Sequence, residues 1–463
     1  MDLFKKKVLV VGLGMTGIST ARFLVNQGAF VTVTDMAKED ELVNSMAIIG
    51  ELGINMELGG HRNTTFENAD LIVLSPGVPH TIPQVHRARS KGINVLGEIE
   101  LASKFIDEPI IAITGTNGKT TTTTLLGEML KSSGFDVFVG GNIGSPLAGY
   151  VDRKKKAEIV VAEVSSFQLD TIESFKPKVS VLLNITKDHL DRYPDFNAYV
   201  KSKCRIFENQ DSSDTAVLNG SDPLIRKCTK SISSKKLFFT SRKQNEKGAT
   251  ITGKNIELFF ESSCKTKNPI TIDLAGTGIK GNHDIENACA ACLAALSAGG
   301  SPEGIQTAID HFKGLPHRLE YVATVNDVKY FNDSKATNVD AVIRALEYFS
   351  DNVILIMGGR NKKADFDSLR DTVRHITKMI IAIGEAKENI ISSLNDVVPV
   401  NIATTMKDAV FTACEAAKPG DVVLLSPACS SFDMYDDYAH RGKVYCEAVK
   451  LLIKIGRNAC ERG

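Results

Sequence analysis

A short glycine-rich segment after an apolar run has the composition of a phosphate-binding loop. It reads Gly115-Thr116-Asn117-Gly118-Lys119-Thr120 and lies between residues 110–113, a predicted strand, and a helix-forming run. In such a turn, successive backbone N–H groups converge on a phosphate at the positive end of the following helix. Lys119 would add a positive charge beside the β- and γ-phosphates, and Thr120 a hydroxyl ligand for Mg²⁺. The alternative is a plain turn with a solvated lysine, and the composition favours phosphate binding.

A second glycine pattern lies near the start of the chain. Gly12-Leu13-Gly14-Met15-Thr16-Gly17 follows a predicted strand, and Asp35 ends the next one. This pattern is typical of a dinucleotide fold in which the acidic residue binds ribose hydroxyls. The residues alone leave three interpretations open: a nicotinamide dinucleotide, another nucleotide or sugar nucleotide, which is favoured, or a purely architectural turn. Ser75-Pro76-Gly77, after another strand, would line the same crevice or form a plain turn.

Three polar residues in the middle of the chain could belong to the same chemistry. Glu163 ends a buried apolar run, where a carboxylate near a phosphate loop is placed to hold Mg²⁺. His189 lies in the polar segment 184–191 and is either part of the site or a helix-start histidine without a role. The pattern around Lys203 predicts a solvated helix face.

Four polar segments follow predicted strands in the last third of the chain: residues 316–318, 332–338, 358–363 and 426–433. Each alone could be a neutral turn. Together they concentrate arginine, aspartate, lysine and threonine where the carboxyl ends of strands in one sheet meet. The sequence therefore predicts a second substrate site, facing the phosphate loop.

The elements that position these residues alternate short apolar runs with amphipathic stretches, which indicates parallel sheets with crossover helices. A β-rich stretch interrupts the pattern at residues 214–273, and a long helix is predicted at 284–298. We expect an α/β protein of three domains, with boundaries near residues 98 and 314. The predicted strands are 7–11, 30–34, 71–74, 94–96, 110–113, 159–164, 179–184, 328–332, 352–357, 379–383 and 421–425; further helices are predicted at 16–27, 82–91 and 196–208.

Composition excludes several classes of protein. The 463 residues carry 55 basic and 55 acidic side chains, which argues against a nucleic-acid surface held by bulk charge but leaves a local basic patch open. No apolar run approaches the ~20 residues that span a bilayer, and no signal peptide is recognisable. The nine cysteines form no zinc pattern. We expect reduced thiols in a cytoplasmic protein that binds neither nucleic acid nor membrane.

In their order, these motifs resemble those of the ATP-dependent Mur ligases, from residue 8 to about residue 442. The segments that match the family's motifs are Gly-Thr-Asn-Gly-Lys-Thr-Thr, Gly-Asn-Ile-Gly, Glu-x-Ser-Ser-Phe-Gln-Leu, Asn-x-Thr-x-Asp-His-x-Asp-Arg-Tyr, Gly-Leu-Pro-His-Arg, Asn-Asp-Ser-Lys-Ala-Thr-Asn and Leu-Ser-Pro-Ala-Cys-Ser-Ser-Phe-Asp. The last three, with Gly-Leu-Gly-Met-Thr-Gly, resemble the branch of the family that adds D-glutamate.

The resemblance implies a fold and an activity. It implies a Rossmann-like UDP-sugar domain (1–98), a central P-loop ATPase-type α/β domain with an added small β region (99–314), and a Rossmann-like amino-acid domain (315–463). The implied reaction joins D-glutamate to UDP-N-acetylmuramoyl-L-alanine through an acyl phosphate, giving ADP and phosphate, in peptidoglycan precursor synthesis. Mg²⁺, as two ions, and a CO₂-derived carbamate on one lysine would assist, and a monomer is expected.

The resemblance also implies a role for individual residues. Lys119, His189, Lys203 and Arg318 would be catalytic. The metal ligands would be Thr120, Glu163, His189 and Lys203 as its carbamate, in place of the solvated lysine that the local pattern predicts. The ATP site would comprise Gly115, Thr116, Asn117, Gly118, Lys119, Thr120, Thr121, Asn287, Arg318 and Asp333. The UDP-sugar site would comprise Gly14, Met15, Thr16, Asp35, Ser75, Pro76, Gly77, Asn142, Ser165, Gln168 and His189. The D-glutamate site would comprise Lys335, Thr337, Lys362, Ser431, Phe432 and Tyr438.

Three other functions compete with this one. A Mur or folylpolyglutamate-type ligase for a different amino acid is the nearest. A nicotinamide-dependent oxidoreductase fused to an ATPase would leave the polar loops of the third domain without a role. A nucleotide sensor without catalysis would bind ATP without amino-acid-dependent turnover, and the intact phosphate loop together with Glu163 weighs against it. One departure from the family is Met36, where relatives can carry a hydroxyl that contacts uracil.

Overall fold

The computed structural model describes residues 1–240, 247–260, 269–279 and 281–460. The described residues form three β-sheets, each with helices packed against it. These sheets confirm the predicted α/β class with three domains, while the boundaries near residues 98 and 314 remain predictions. The chain groups into two compact units, residues 1–185 with 197–312 and residues 186–196 with 313–463. In the described part of the chain, no helix combines the length and apolar composition that a membrane span requires.

The first sheet has the order β3-β2-β1-β4-β5, and all neighbouring strands are parallel. Its central strands are buried because helices cover both faces. Every predicted strand is present, but one helix and one short strand between residues 43 and 57 were not predicted, since that stretch is short and half-exposed. The strands are β1 (Lys7–Val11), β2 (Phe30–Thr34), β3 (Asn55–Glu57), β4 (Leu71–Leu74) and β5 (Asn94–Gly97), and the helices are α1 (Met15–Asn26), α2 (Val43–Gly50), α3 (Asn63–Glu67), α4 (Pro83–Ser90) and α5 (Glu98–Ser103).

The glycine pattern after β1 allows α1 to pass close to the strand end. A Cβ atom at Gly17 would lie 1.8 Å from the carbonyl oxygen of Gly12, so no larger residue fits there without moving the turn. Gly12 itself has φ of 96°, a conformation that favours glycine. Two of the glycines therefore have an architectural role, whichever ligand lies above the turn.

The second sheet has the order β14-β13-β12-β11-β10-β9-β6-β8-β7, parallel from β7 to β12 and antiparallel at β12–β13 and β13–β14. The β-rich stretch predicted at residues 214–273 contains β10 to β14, of which β10 and β11 continue the parallel part and β12 to β14 form the antiparallel part. The strands are β6 (Ile110–Thr114), β7 (Val137–Gly141), β8 (Ile159–Glu163), β9 (Val179–Leu182), β10 (Thr215–Asn219), β11 (Lys235–Thr240), β12 (Gly248–Thr252), β13 (Asn255–Phe259) and β14 (Ile270–Asp273).

Helices on both sides of the second sheet close its core, in which α6 and α11 contribute buried side chains. The predicted helix 196–208 ends at Cys204 and continues as one 3-10 turn over Arg205–Phe207. The helices are α6 (Lys119–Ser132), α7 (Leu147–Val151), α8 (Ser166–Leu169), α9 (Phe196–Cys204), α10 (Pro223–Cys228), α11 (Asn282–Ser297) and α12 (Pro302–His311).

A buried carboxyl joins the first and second sheets within their unit. Glu98 begins α5, and its Oε1 accepts a hydrogen bond of 2.7 Å from the backbone N–H of Ala148. Burial raises the pKa of Glu98 to about 7, against the opposing effect of its backbone hydrogen bonds. The segment that carries Asn142 and α7 is thereby attached to the end of β5.

The third sheet has the order β15-β16-β20-β17-β18-β19, antiparallel at β15–β16 and parallel elsewhere. Both edge strands were missed, because their residues are half-exposed and carry no continuous apolar run. The strands are β15 (Glu320–Val325), β16 (Val328–Asn332), β17 (Val353–Gly358), β18 (Thr377–Ile383), β19 (Val400–Ile402) and β20 (Val422–Leu425), and the helices are α13 (Val339–Leu346), α14 (Arg370–Ile376), α15 (Lys387–Leu394), α16 (Met406–Ala416) and α17 (Tyr438–Cys460).

Candidate active site

The predicted phosphate loop connects the carboxyl end of β6 to the first turn of α6. Gly118 precedes the helix with φ of 84°, and a Cβ atom there would lie 2.3 Å from Oδ1 of Asn287. Only glycine suits that conformation and that contact. The first turn belongs to a helix of 14 residues, and the positive amino-terminal end of such a helix favours an anion. The loop therefore has the backbone geometry of an anion site, and Asn287 lies against it.

Asn184 holds this loop in place through both ends of its side-chain amide. Its Oδ1 accepts from the N–H of Asn117 at 2.8 Å, and its Nδ2 donates to the carbonyl of Asn117 at 3.1 Å. The backbone N–H of Thr116 also donates to the carbonyl of Asn184, at 3.0 Å. Asn184 was not predicted as a site residue. Its position at the end of a predicted strand, where the polar segment 184–191 begins, was the signal that could have identified it.

Lys119 lies over its own loop. Its Nζ donates to the carbonyl oxygens of Gly115 and Thr116 at 2.9 and 2.8 Å. Thr120 follows in the first turn of α6 and is half-buried, whereas Thr121 is buried. The structure thus brings together the residues of the predicted ATP site that come from this loop and Asn287.

Lys203 is the clearest correction to the local sequence pattern. The solvated helix face that its neighbours predict is wrong: Lys203 is 1% exposed. Its Nζ donates to the carbonyl of Gly115 at 2.7 Å and lies 4.7 Å from the ring centroid of Tyr199. The hydroxyl of Tyr199 in turn contacts Oγ1 of Thr116 at 3.1 Å. Because α9 turns this face toward the phosphate loop, the lysine supports the loop from inside the protein.

Glu163 ends β8, the strand beside β6, and pairs in register with Ile113. It is 1% exposed. Its Oε1 accepts from Nδ2 of Asn142 at 2.9 Å, whereas its Oε2 is buried and has no hydrogen-bond partner. A buried carboxylate oxygen without a donor is costly unless a cation or a proton satisfies it. The position next to a phosphate loop fits a divalent cation with oxygen ligands.

Few protein side chains would complete such a cation site. Within the described ranges, no three His, Cys, Asp or Glu side chains form a group that could hold a metal ion. A cation at Glu163 would therefore depend on ligands of other kinds, such as the hydroxyl of Thr120 and phosphate oxygens. This is the usual arrangement for Mg²⁺, which keeps waters and binds through few carboxylates.

Ser165 and Gln168 form a reciprocal cap at the start of α8. The N–H of Ser165 donates to Oε1 of Gln168 at 2.9 Å, and the N–H of Gln168 donates to Oγ of Ser165 at 3.3 Å. This capping box fixes the backbone after Glu163. Both residues were predicted at the UDP-sugar site, and they lie with Asn142 at the carboxyl edge of the second sheet.

At the first sheet, Asp35 binds the backbone of the glycine turn. Its Oδ2 accepts from the N–H of Leu13 at 2.6 Å and its Oδ1 from the N–H of Ala37 at 2.8 Å. Oγ of Ser75 donates to the carbonyl of Gly12 at 3.1 Å. Around them, Met15 and Met36 are exposed, Pro76 and Thr16 are half-buried, and Gly14 and Gly77 are exposed. The predicted UDP residues of this domain thus lie together at the carboxyl edge of the first sheet.

The second unit gathers another group of charged residues around Asp188. Nδ2 of Asn338 donates to Oδ2 of Asp188 at 3.1 Å, and Nζ of Lys362 lies 3.8 Å from Oδ1. Burial alone would raise the pKa of Asp188, but Lys362, His189 and Asn338 together hold it below its usual value. Asp188 was not predicted as a site residue, although it precedes His189 in the motif that was.

A cavity of about 240 Å³ opens beside this group, and Asp188, Thr337 and Lys362 are among its lining residues. His189 has φ of 56°, in a turn and not at the start of a helix, so the alternative interpretation of this histidine as a helix-start residue is wrong. Two of the predicted D-glutamate residues therefore share one cavity with a buried carboxylate.

Two further predicted residues of the second unit, Lys335 and Tyr438, contact each other at the start of α17. Nζ of Lys335 lies 3.6 Å from the ring centroid of Tyr438. Arg441, which was not predicted, is buried and donates to Ser334 and to the carbonyl of Cys429. Burial lowers its pKa to about 10.

Four more predicted residues belong to the loops that precede these elements: Arg318 and Asp333 were predicted at the ATP site, and Ser431 and Phe432 at the D-glutamate site. Asp333 is buried and accepts from Oγ of Ser426 at 2.9 Å and from the N–H of Leu319. Ser431 is buried and Phe432 is exposed on the same loop, and Arg318 is half-buried. The predicted amino-acid residues are thus placed on adjacent loops of one sheet edge.

Three family models match consecutive parts of the chain. Residues 6–97 match the N-terminal domain described as Mur ligase MurD-like, residues 113–295 the Mur ligase middle domain, and residues 317–429 the Mur ligase glutamate ligase domain. A protein of Desulfosudis oleivorans named UDP-N-acetylmuramoylalanine–D-glutamate ligase is 53% identical over 96% of both chains. The chain belongs to the Mur ligase family.

Other Mur ligases agree with this assignment. A second D-glutamate ligase, of Desulfatibacillum aliphaticivorans, is 51% identical over 98% of this chain and all of its own. Among solved structures, the MurF ligase of Thermotoga maritima in complex with ADP superposes with a TM-score of 0.62 at 17% identity, covering 98% and 99% of the two chains. MurC of the same organism gives 0.60 at 17% identity, over 96% and 99%. At such identities the structures show a shared fold.

The contacts of Asn184 generate a test of the phosphate loop in this Mur ligase. Asn184→Ala removes both side-chain hydrogen bonds to Asn117, so the loop loses its fixed conformation, and we expect ATP affinity to fall about tenfold or more. Isothermal titration of the Mg²⁺ complex of a non-hydrolysable ATP analogue measures this change. Asn209→Ala is the matched control, because that amide also makes two hydrogen bonds to carbonyls but lies away from the loop. Equal affinities for both variants would contradict the role of Asn184.

Proposed function

We propose that this Mur ligase forms the amide bond between D-glutamate and UDP-N-acetylmuramoyl-L-alanine at the expense of ATP, in peptidoglycan precursor synthesis. The observation that carries the nucleotide chemistry is the phosphate loop beside Glu163, whose buried Oε2 has no donor. The near-full-length identity to ligases of that name supports the choice of substrates. Asn184, Tyr199 and Lys203 support the loop.

Two steps complete the proposed reaction. A carboxylate is a poor acyl donor, because direct attack would have to expel oxide. Transfer of the γ-phosphoryl group to an oxygen of the L-alanine carboxylate releases ADP and makes an acyl phosphate. The neutral amine of D-glutamate then attacks the carbonyl carbon, and the tetrahedral intermediate expels phosphate and loses a proton to give the amide. Positioning and neutralisation of charge dominate such a transfer, and Lys119 and Arg318 would supply both.

Mg²⁺ would neutralise charge on the transferring phosphoryl group. Thr120, Glu163, His189 and a carbamate on Lys203 are the proposed ligands. The ammonium group first loses one proton, and the neutral amine then adds CO₂ and releases a second proton, so a buried cation becomes an anion. The burial of Lys203 supports this, because an ammonium group loses its hydration in such a position. Its replacement by a carbamate would place negative charge beside the phosphate loop.

The substrates would occupy the strand ends of three sheets. We propose that the UDP moiety lies at the turn of Gly14, Met15, Thr16 and Asp35 with residues 75–77, and that Asn142, Ser165, Gln168 and His189 reach the remainder of that substrate. Asn287 and Asp333 would contact the adenosine. Lys335 and Lys362 would pair with the two carboxylates of D-glutamate, near Thr337, Ser431, Phe432 and Tyr438. We further propose that the protein is a monomer and that it is cytoplasmic. The location is supported by seven cysteines that carry free thiols: Cys204, Cys228, Cys289, Cys292, Cys414, Cys429 and Cys446.

The substrate proposal is tested by phosphate release from ATP in the presence of Mg²⁺, bicarbonate and UDP-N-acetylmuramoyl-L-alanine. We expect release with D-glutamate and not with L-glutamate, L-alanine or a diamino acid. Release with another amino acid would assign the chain to a different member of the family. Absence of amino-acid-dependent release from folded protein would contradict ligase activity. A change in absorbance with a nicotinamide cofactor would indicate the oxidoreductase instead.

The carbamate is tested by Lys203→Ala. The variant loses the proposed anionic ligand, so we expect turnover to fall about a hundredfold or more, with partial recovery when acetate or formate supplies a carboxylate. Lys201→Ala, on an exposed position of the same helix, is the control and should keep its activity without any response to the acids. Full activity of Lys203→Ala without added acid would refute the carbamate.

A further inference from the structure

The amino-terminal edge of the first sheet carries a surface that the proposed reaction does not use. We define the amino-edge patch as Phe4, Lys5, Lys6, Lys7 and Phe30. All five side chains are exposed, and the two aromatic rings are each 63% exposed. Large aromatic side chains are seldom this exposed next to one another, and such groups often mark an interaction surface.

The patch is held rigidly on the sheet. Lys7 and Phe30 are register partners in β1 and β2. The N–H of Lys5 donates to the carbonyl of Gly28 at 2.8 Å, and the N–H of Phe30 donates to the carbonyl of Lys6 at 2.8 Å. Nζ of Lys5 lies 5.1 Å from the ring centroid of Phe4. The lysines and the rings therefore form one surface.

A second basic segment adjoins the patch. Residues 152–156 read Asp-Arg-Lys-Lys-Lys. Nδ2 of Asn26 donates to Oδ2 of Asp152 at 2.7 Å. Asn26 lies two residues before Gly28, whose carbonyl accepts from the N–H of Lys5, so the two segments are neighbours. The nearby acids are Asp2, Asp70, Asp136, Asp152, Glu108 and Glu158. Asp136 pairs with Lys155, and the basic side chains are Lys5, Lys6, Lys7 and the four of residues 153–156. In a chain whose net charge is zero, basic groups outnumber acidic groups on this edge.

Apolar surface is also accessible at this edge. A cavity of about 490 Å³ opens here, lined by Lys7 and Phe30 at the strand ends and by Leu9, Val31 and Ile54 among its apolar walls. The edge thus offers positive charge and apolar groups together, which is the combination that an anionic lipid surface attracts.

We propose that the amino-edge patch binds the surface of an anionic lipid bilayer. The lysines, with Arg153 and Lys154, lie against the negative headgroups, and Phe4 and Phe30 enter the interfacial layer. The strands of the first sheet are parallel, so this edge is opposite to the one that carries Gly14 and Ser75. Binding leaves the proposed UDP site open. The proposal departs from the expectation that the protein binds no membrane, which rested on the lack of a spanning segment and did not consider contact with the bilayer surface.

The test is cosedimentation of the full chain with vesicles of phosphatidylglycerol and phosphatidylcholine, and with vesicles of phosphatidylcholine alone. We expect binding to the anionic vesicles only, weakened by salt. The variant K5E/K6E should bind the anionic vesicles at least about tenfold more weakly than the unaltered chain. K227E/K230E is the matched control, since it makes the same charge change at exposed lysines of the same unit, and it should bind like the unaltered chain. Phe30→Ser should weaken binding at high salt, where the apolar contribution remains.

Phosphate release by K5E/K6E, with the unaltered chain as reference, shows whether the variant is folded and is independent of the vesicle result. Absence of binding to anionic vesicles, or equal binding by K5E/K6E and K227E/K230E, would overturn the proposal. Competition by millimolar glycerol 3-phosphate would also overturn it, because the site would then recognise a small anion and not a bilayer.

Discussion

The phosphate loop depends on a hydrogen bond that it cannot supply itself, from Nζ of Lys203 to the carbonyl of Gly115. A glycine-rich loop has few side chains of its own to pack, and each glycine loses much conformational entropy when it is ordered. Lys203, Asn184 and Tyr199 therefore have to hold the loop from neighbouring elements. Because α9 and the segment after β9 supply these groups, the conformation of the loop depends on contacts between elements and not on its own residues alone.

The parallel sheets explain why the polar groups meet. In a parallel sheet every strand ends at the same edge, and the loops there can bring distant residues together. Glu163 ends β8 beside Ile113 of β6, which leads directly into the phosphate loop. Its Oε2 is buried without a hydrogen-bond partner, which has an energetic cost. A cation bound with nucleotide would remove that cost, so nucleotide binding and the charge of the site are coupled.

Sequence predicted the parts of the structure that depend on local spacing. The strands with continuous apolar runs, the glycine turns and the phosphate loop follow from residues close together in the chain. The exposed face predicted for Lys203 was wrong, because the orientation of a helix depends on what packs against it and not on its own residues. Asn184, Asp188 and Arg441 were missed for a related reason: their partners are 67, 150 and 107 residues away in sequence. Only the family resemblance assigned Lys203 to the site. The residues around Lys203 carry no signal of its burial or of a role in the site.

The most direct test of carboxylate activation follows the oxygen atoms. The substrate is UDP-N-acetylmuramoyl-L-alanine in which both oxygen atoms of the alanine carboxylate are ¹⁸O. It is incubated with ATP, Mg²⁺ and D-glutamate, and the ¹⁸O content of the released phosphate is measured by mass spectrometry. Transfer of the γ-phosphoryl group to the carboxylate predicts one ¹⁸O atom in each phosphate, since that oxygen leaves with the acyl phosphate. Unlabelled phosphate, with the amide formed at the same rate, would contradict an acyl phosphate and with it the role assigned to the phosphate loop.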